Sequence, residues 1–244
     1  MHYARTTLAV SLLVGSLMTV CGSPADELTA AAKKLADQPN YSWKQTTEMA
    51  GGGGGGRGPG PVEGKVEKNG FAHLTMSRGD NTIHAVIKGD KGAIKVGEEW
   101  LSASEAADAA NSGGGGGWNP GRFFARTIKT FKTPAAQVES MASKLKEVKK
   151  TDSGYSGDMT EDGAKELLAM GGRGGGDVPS IEGAKGNATF WVKDGALTKY
   201  SFQVQGKVTF NGNEREVDRT TTVEIMDIGT TKVEIPEAAQ KKAS

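Results

Sequence analysis

AKGNATFWVKDGALTKYSFQVQGKVTFNGNEREVDRTTTVEIMDIGTTKVEI, residues 184–235, decides the fold. Ala188, Phe190 and Val192 alternate with Thr189, Trp191 and Lys193, the period of two that marks a strand. Asp194-Gly195 follows, a strong two-residue hairpin signal. Residues 196–210 then run almost without a breaker. Thr198, Tyr200, Phe202 and Val204 fall on one face, and Lys199, Ser201, Gln203 and Gln205 on the other. Gly206 is the one interruption and predicts a bulge or bend. Asn211-Gly212-Asn213 turns the chain back. In residues 214–226, Val217, Thr221, Val223 and Ile225 share a face. Residues 232–235 predict a short last strand, stopped by Pro236. A flat strand of residues 196–210 would span about 50 Å at roughly 3.3 Å per residue. So long a meander must twist and curl, and its apolar face needs a cover.

The rest of the 244 residues supplies one. A helix is expected over 26–37, with Leu28, Ala31, Ala32 and Leu35 as its apolar stripe. Strands are expected over 41–48, 62–68, 71–77, 82–88 and 92–96, with 99–101 completing the sheet. Ser102 opens a helix to Ala110, with Glu105 placed as in a capping box. Further helices are expected over 120–131, 134–148 and 161–170, and a short strand over 155–159. The order is helix, sheet, helices, sheet. Without βαβ alternation, the fold class is α+β. The expected architecture is one curved antiparallel sheet of about 9–11 strands, an incomplete β-barrel, with helices across its concave face.

Residues 1–25 have the layout of an export signal. Arg5 lies in a short segment without acids, 8–20 is apolar, and Cys21-Gly22-Ser23-Pro24-Ala25 is small and polar. Cleavage is expected after Ala25, leaving 26–244 as a single domain. The apolar run is shorter than the roughly 20 residues a spanning helix needs. Cys21, the only cysteine, is a candidate lipidation site, although Val20 fits a lipobox poorly. Charge is balanced: 30 basic and 29 acidic residues, and the signal segment removes only Arg5. That excludes a nucleic-acid binder driven by charge. Glycine-rich loops are expected at 51–61, 111–117 and 171–176. The first has neither the helix nor the Lys-Ser/Thr of a phosphate-binding loop.

The sequence holds no convincing catalytic constellation, and no cofactor is expected. The turn between their strands places Thr75 opposite His84, so His73 and His84 share a face diagonally. A metal site would need a third ligand, and none is evident. Arg78-Gly79-Asp80 reads as an ordinary hairpin turn. The large apolar residues read first as core. The sharper reading is that the helix over 122–131 leaves part of the hollow unfilled. Phe123, Phe124, Ile128, Phe202 and Val204 would then line an apolar pocket.

Several stretches resemble the periplasmic lipoprotein-carrier superfamily, which includes the outer-membrane lipoprotein localisation factors and mycobacterial envelope lipid-binding lipoproteins. Ala85-Val86-Ile87-Lys88-Gly89-Asp90-Lys91 followed by Glu98-Glu99-Trp100 is similar to its strand, turn and tryptophan unit. Tyr155-Ser156-Gly157-Asp158 resembles its return to the sheet. Residues 189–200 resemble its most recognisable hairpin, and 230–236 its last strand. The glycine-rich loops depart from the pattern. The resemblance implies a non-enzymatic, exported carrier, periplasmic or lipid-anchored to the envelope. Its partner would be an acyl-chain lipid or a lipoprotein, with peripheral membrane association and a monomeric state. The alternative is an envelope interaction or sensor domain of the same fold with a closed core.

Overall fold

The computed structural model describes residues 22–50, 60–78, 81–112, 120–170, 179–210 and 212–244. The expected export signal through Cys21, most of each glycine-rich segment, Gly79-Asp80 and Asn211 lie outside them.

Eleven strands form one antiparallel sheet: β1 (Asn40–Met49), β2 (Val62–Glu67), β3 (Phe71–Arg78), β4 (Asn81–Lys88), β5 (Lys91–Val96), β6 (Glu99–Ser102), β7 (Lys149–Thr151), β8 (Gly154–Asp158), β9 (Ser180–Lys193), β10 (Ala196–Phe210) and β11 (Asn213–Met226). Their spatial order is β6-β5-β4-β3-β2-β1-β11-β10-β9-β8-β7. Two meanders, one from each half of the chain, are therefore joined by a single seam between β1 and β11. The seam runs from Ser42 opposite Met226 to Met49 opposite Arg219. Strands β6 and β7 are free edges, so the sheet is open rather than a closed barrel.

Period-two alternation sorts the side chains. Tyr41, Trp43, Leu74, Ile87, Ile94, Phe190, Tyr200, Phe202, Val204 and Val223 are buried on the inner face in one continuous core. The long strands carry the twist through two irregularities between β9 and β10. One brackets Thr198, whose hydroxyl donates to the Trp191 carbonyl at 3.2 Å; the other lies opposite Gly206. At the second, the extra residue is in β9, where Gly183 sits at φ +61°. Gly206 itself is needed for another reason: a Cβ there would lie 2.8 Å from Leu168 Cδ1.

The inner face is covered by α1 (Pro24–Ala36), α2 (Ala103–Ser112), α3 (Pro120–Thr130), α4 (Pro134–Ala142) and α5 (Glu161–Met170). Helix α1 buries Leu28, Ala31, Ala32 and Leu35 against α4 and β10. Helix α5 packs on β9 and β10, and α3 on α2 and β5.

Two expected elements differ. The helix over 134–148 stops at Ala142. Leu145 and Val148 keep helical spacing, but Leu145 bridges to Met159 and the Lys146 N–H donates to the Asp158 carbonyl at 2.8 Å. Pairing with β8 offers those backbone groups partners a solvent-facing last turn would lack, and it creates β7. Residues 230–236 form no strand. They lead instead to α6 (Glu237–Lys242), whose Ala239 packs with Ala243 against Phe71, Val86 and Ala93 on the outer face. The apolar outer patch of β3–β5 gives that segment a surface to cover rather than an edge to extend.

Helix α1 begins two residues before Asp26. Ser23 is its N-cap, accepting from the Asp26 N–H, while the Asp26 carboxylate accepts from the Ser23 N–H and hydroxyl. S23A, or a chain starting at Asp26, is therefore expected to lose about 1 kcal/mol. That corresponds to a melting temperature lower by about 2–4 °C than a chain starting at Gly22. Differential scanning calorimetry of the three chains checks this.

Candidate functional site

The hollow under the helices is held by two unlike covers. The first, α1 with α4, is pinned by polar contacts as well as by packing. The Tyr200 hydroxyl, in the middle of β10, donates to Gln137 Oε1 of α4 at 2.5 Å. Lys34 Nζ donates to the Asp194 carbonyl at 2.6 Å, and Tyr155 donates to Glu27 Oε2 at 2.8 Å. Burial first, and then that bond to Glu27, push the Tyr155 hydroxyl up to about 12. Burial also raises Tyr41 and takes Tyr200 well above the ordinary phenol value. Both stay neutral and rigid at any physiological pH.

The second cover, α2 with α3, meets the sheet through apolar side chains. Among its described side chains, Ala106, Phe124 and Ile128 are fully buried. Ile128 rests where β5 has Gly92; a Cβ there would be 2.8 Å from Ile128 Cδ1. Phe131, just past α3, stacks on Trp43 at 6.3 Å. Trp43 in turn lies over Gly64 of β2, where any Cβ would fall 2.0 Å from the indole. On its outer side, Glu105 of α2 forms an ion pair with Lys242 of α6.

Of the residues expected to line a pocket, Phe124 and Ile128 lie on β5, while Phe202 and Val204 lie on β10 among the second half's strands. All four are buried in the same core but at different parts of it. The side chain of Phe123 and all of Cys21 lie outside the description. Phe124, Ile128, Phe202 and Val204 are each at most 5% exposed, so the described side chains between the covers are packed. The apolar cavity beside Met141, Met159 and Leu167 has about 20 Å³, room for about one water. The larger recess, about 330 Å³, is polar and lies where Lys146, Asp158, Lys185 and Asn187 meet Gln203 and Gln205. Among the described residues no three His, Cys, Asp or Glu side chains converge as a metal set. His84 faces Thr75 as the turn requires, and the His73 and His84 rings are 5.8 Å apart on the outer face. Burial, with His84 next, lowers the His73 value.

One residue on the inner face went unnoticed in the sequence. The alternation through Val217, Thr221, Val223 and Ile225 also carries Arg219. An arginine in phase with apolar positions was the available signal.

No protein-family profile matches the chain, and none of the curated proteins does. Among solved structures, the chain is similar to LprF from Mycobacterium bovis. The TM-score is 0.47 and the identity 13%, over 89% of this chain and 100% of that one. It is also similar to the lipoprotein LppX of Mycobacterium tuberculosis, with a TM-score of 0.46 and 10% identity, over 87% of this chain and 98% of that one. The architecture described above rests on the chain's own strand pairing.

The Glu105–Lys242 clasp has a pH signature. Lys242 first, then the Ser102 N–H and hydroxyl, hold the Glu105 carboxyl down at about 2, against an ordinary 4.5. A depressed carboxyl contributes stability above its unfolded value and loses it as pH falls through the folded one. The clasp should hold at pH 5 and release between about 4.5 and 2. Protection of the α2 amides, taken relative to the intrinsic exchange rate at each pH, should fall more over that range in the wild type than in E105Q, which lacks the clasp at every pH.

Proposed function

We propose that the chain is a non-enzymatic binding or carrier protein, exported to the cell envelope, for a ligand with an acyl chain. The ligand would lie on the inner face of the sheet, under α2 and α3. The observation that carries this reading is the inequality of the two covers. Among the described contacts with the sheet, one cover makes three side-chain hydrogen bonds and the other apolar ones; α2 and α3 also have contacts of their own at Asp108, Thr127 and Thr130, and an exposed ion pair from Glu105 to Lys242. Full burial of Phe124 and Ile128 stabilises closure by about 1.5–3 kcal/mol each, hence about 3–6 together. An acyl chain gains about 0.8 kcal/mol per buried methylene, so roughly eight methylenes offset the loss of both. Such a chain can displace this cover. It could not as readily displace α1 and α4, whose polar anchors would be left unpaired.

On this account the monomer is closed when empty, and α2–α3 swings away as the ligand enters. Retention at the envelope through Cys21 and peripheral contact with a membrane belong to the same proposal. A second reading has its own support. A cavity of about 20 Å³ suits an envelope interaction or sensor domain whose core never opens.

Trp43 separates the two. It lies under the junction of α3 and α4, whereas Trp191, with Lys199 over its ring at 5.4 Å, and Trp100 lie on the outer face. Trp118, in the segment between α2 and α3, is first removed as W118F so that it does not report. In that background a brominated fatty acid should quench tryptophan fluorescence saturably, and W43F should lose most of the quenching. No saturable quenching, or quenching undiminished by W43F, favours the closed core.

A further inference from the structure

At one end of the inner face a cation has no counter-charge among the described residues. Arg215 and Arg219 stand four apart on β11, and so on the same inner face, with buried Val217 between them. Across the ladder they face Val208 and Val204 of β10. The Arg219 side chain reaches α5, where one terminal N–H group donates to the Leu167 carbonyl in the last turns of the helix. A cation suits that end of a helix dipole. Its Nε is buried and has no hydrogen-bond partner. Burial, with Arg215 second, lowers the Arg219 value from the ordinary 12.5, which leaves it charged.

The neighbouring acids are turned away. Glu214, Glu216 and Asp218 alternate onto the outer face of β11. There Glu214 pairs with Lys207 at 3.0 Å, and Asp218 accepts from Gln203 Nε2 and Gln205 Nε2, each at 2.8 Å. Neither Arg215 nor Arg219 takes part in any of the ion pairs described. A part-buried guanidinium is costly to leave unpaired, and its planar fork fits an oxyanion in two bonds.

The position has a use. Met49, the last residue of β1, is exposed opposite Arg219. The β10–β11 turn, the start of β9 and the end of β1 all lie at this end of the sheet. An amphiphile that enters under α2 and α3 and runs across the inner face from β5 to β11, five strand spacings or roughly 24 Å, would have its polar end here, beside α5. We propose that Arg219, assisted by Arg215, binds the oxyanion of the ligand, a carboxylate or phosphate carried by the acyl chain. This rests on the acyl-chain reading above and narrows it to anionic amphiphiles. Arg219 makes the buried contact through its free Nε edge, and exposed Arg215 closes over the outer oxygen.

Oleate and oleyl alcohol share a chain and differ in charge. Titrated by calorimetry into the chain from Gly22, oleate should bind about tenfold tighter or more, the scale of one charge-assisted hydrogen bond. R215Q and R219Q should bring the two within about twofold of each other while oleyl alcohol binding stays unchanged. R219K keeps the charge and a donor for Leu167 but loses the fork, so it should keep the fold and lose most of the preference. R215Q alters an exposed side chain and tests the site even where R219Q fails to fold. Equal affinities in the wild type, or a ratio unaltered in R215Q and R219K, would overturn the oxyanion site and leave the acyl reading standing. Binding of neither probe would overturn the acyl reading itself. If inorganic phosphate alone raises the wild-type melting temperature, but not that of R219K, and oleate shows no preference, the site belongs to a free anion and the lipid assignment fails.

Discussion

The pairing of β1 with β11 is the constraint on which the rest of the molecule depends. Each half of the chain makes its own meander from local hairpins, and neither has a covered inner face alone. The seam places Trp43 beside Ile225 and Thr47 beside Thr221, and so sets the two inner faces in one surface. It also joins segments far apart in sequence, which carries a large closure cost and must be repaid by burial along the seam. Trp43 concentrates that burial. It packs over Gly64 on one side and stacks with Phe131 on the other, tying seam, β2 and helical cover together.

Much of this was legible in the sequence because strand alternation and turn chemistry are local. The three long C-terminal strands, the Asp194-Gly195 hairpin and the Ser102–Glu105 capping box follow from residues within a few positions of one another. What was not legible depends on distant partners. Leu145 and Val148 carry helical spacing, yet β8 captures their backbone. The last apolar residues, through Ile235, look like a strand, yet they cross the outer face because Phe71, Val86 and Ala93 leave an apolar patch there. The pocket residues were chosen for size and phase. Neither property tells that Phe124 and Ile128 sit over β5 while Phe202 and Val204 lie on the far side of the seam. Arg219 was hidden by the opposite error, since a charge was not looked for among apolar positions.

The two covers divide the molecule into a part that holds shape and a part that can move. Helices α1 and α4 satisfy buried phenol groups of the sheet, and removing them would strand those groups in an apolar layer. Helices α2 and α3 satisfy no buried polar group of the sheet among the bonds described. Their described contacts with the sheet are apolar and can be exchanged for those of another apolar body at little net cost. The segment 113–119 that joins the two helices is five glycines followed by Trp118 and Asn119. A filled core and a binding function are therefore compatible: the core is filled by a piece of the protein that a ligand can replace.

The central claim is this difference in local stability, and native-state hydrogen exchange measures it residue by residue. Amides of β1, β11, α1 and α4 should exchange only by global unfolding. Those of α2 and α3 should exchange through a smaller opening, several kcal/mol lower by about the burial of two apolar side chains. Exchange of α2 and α3 at the same free energy as the seam would contradict the account.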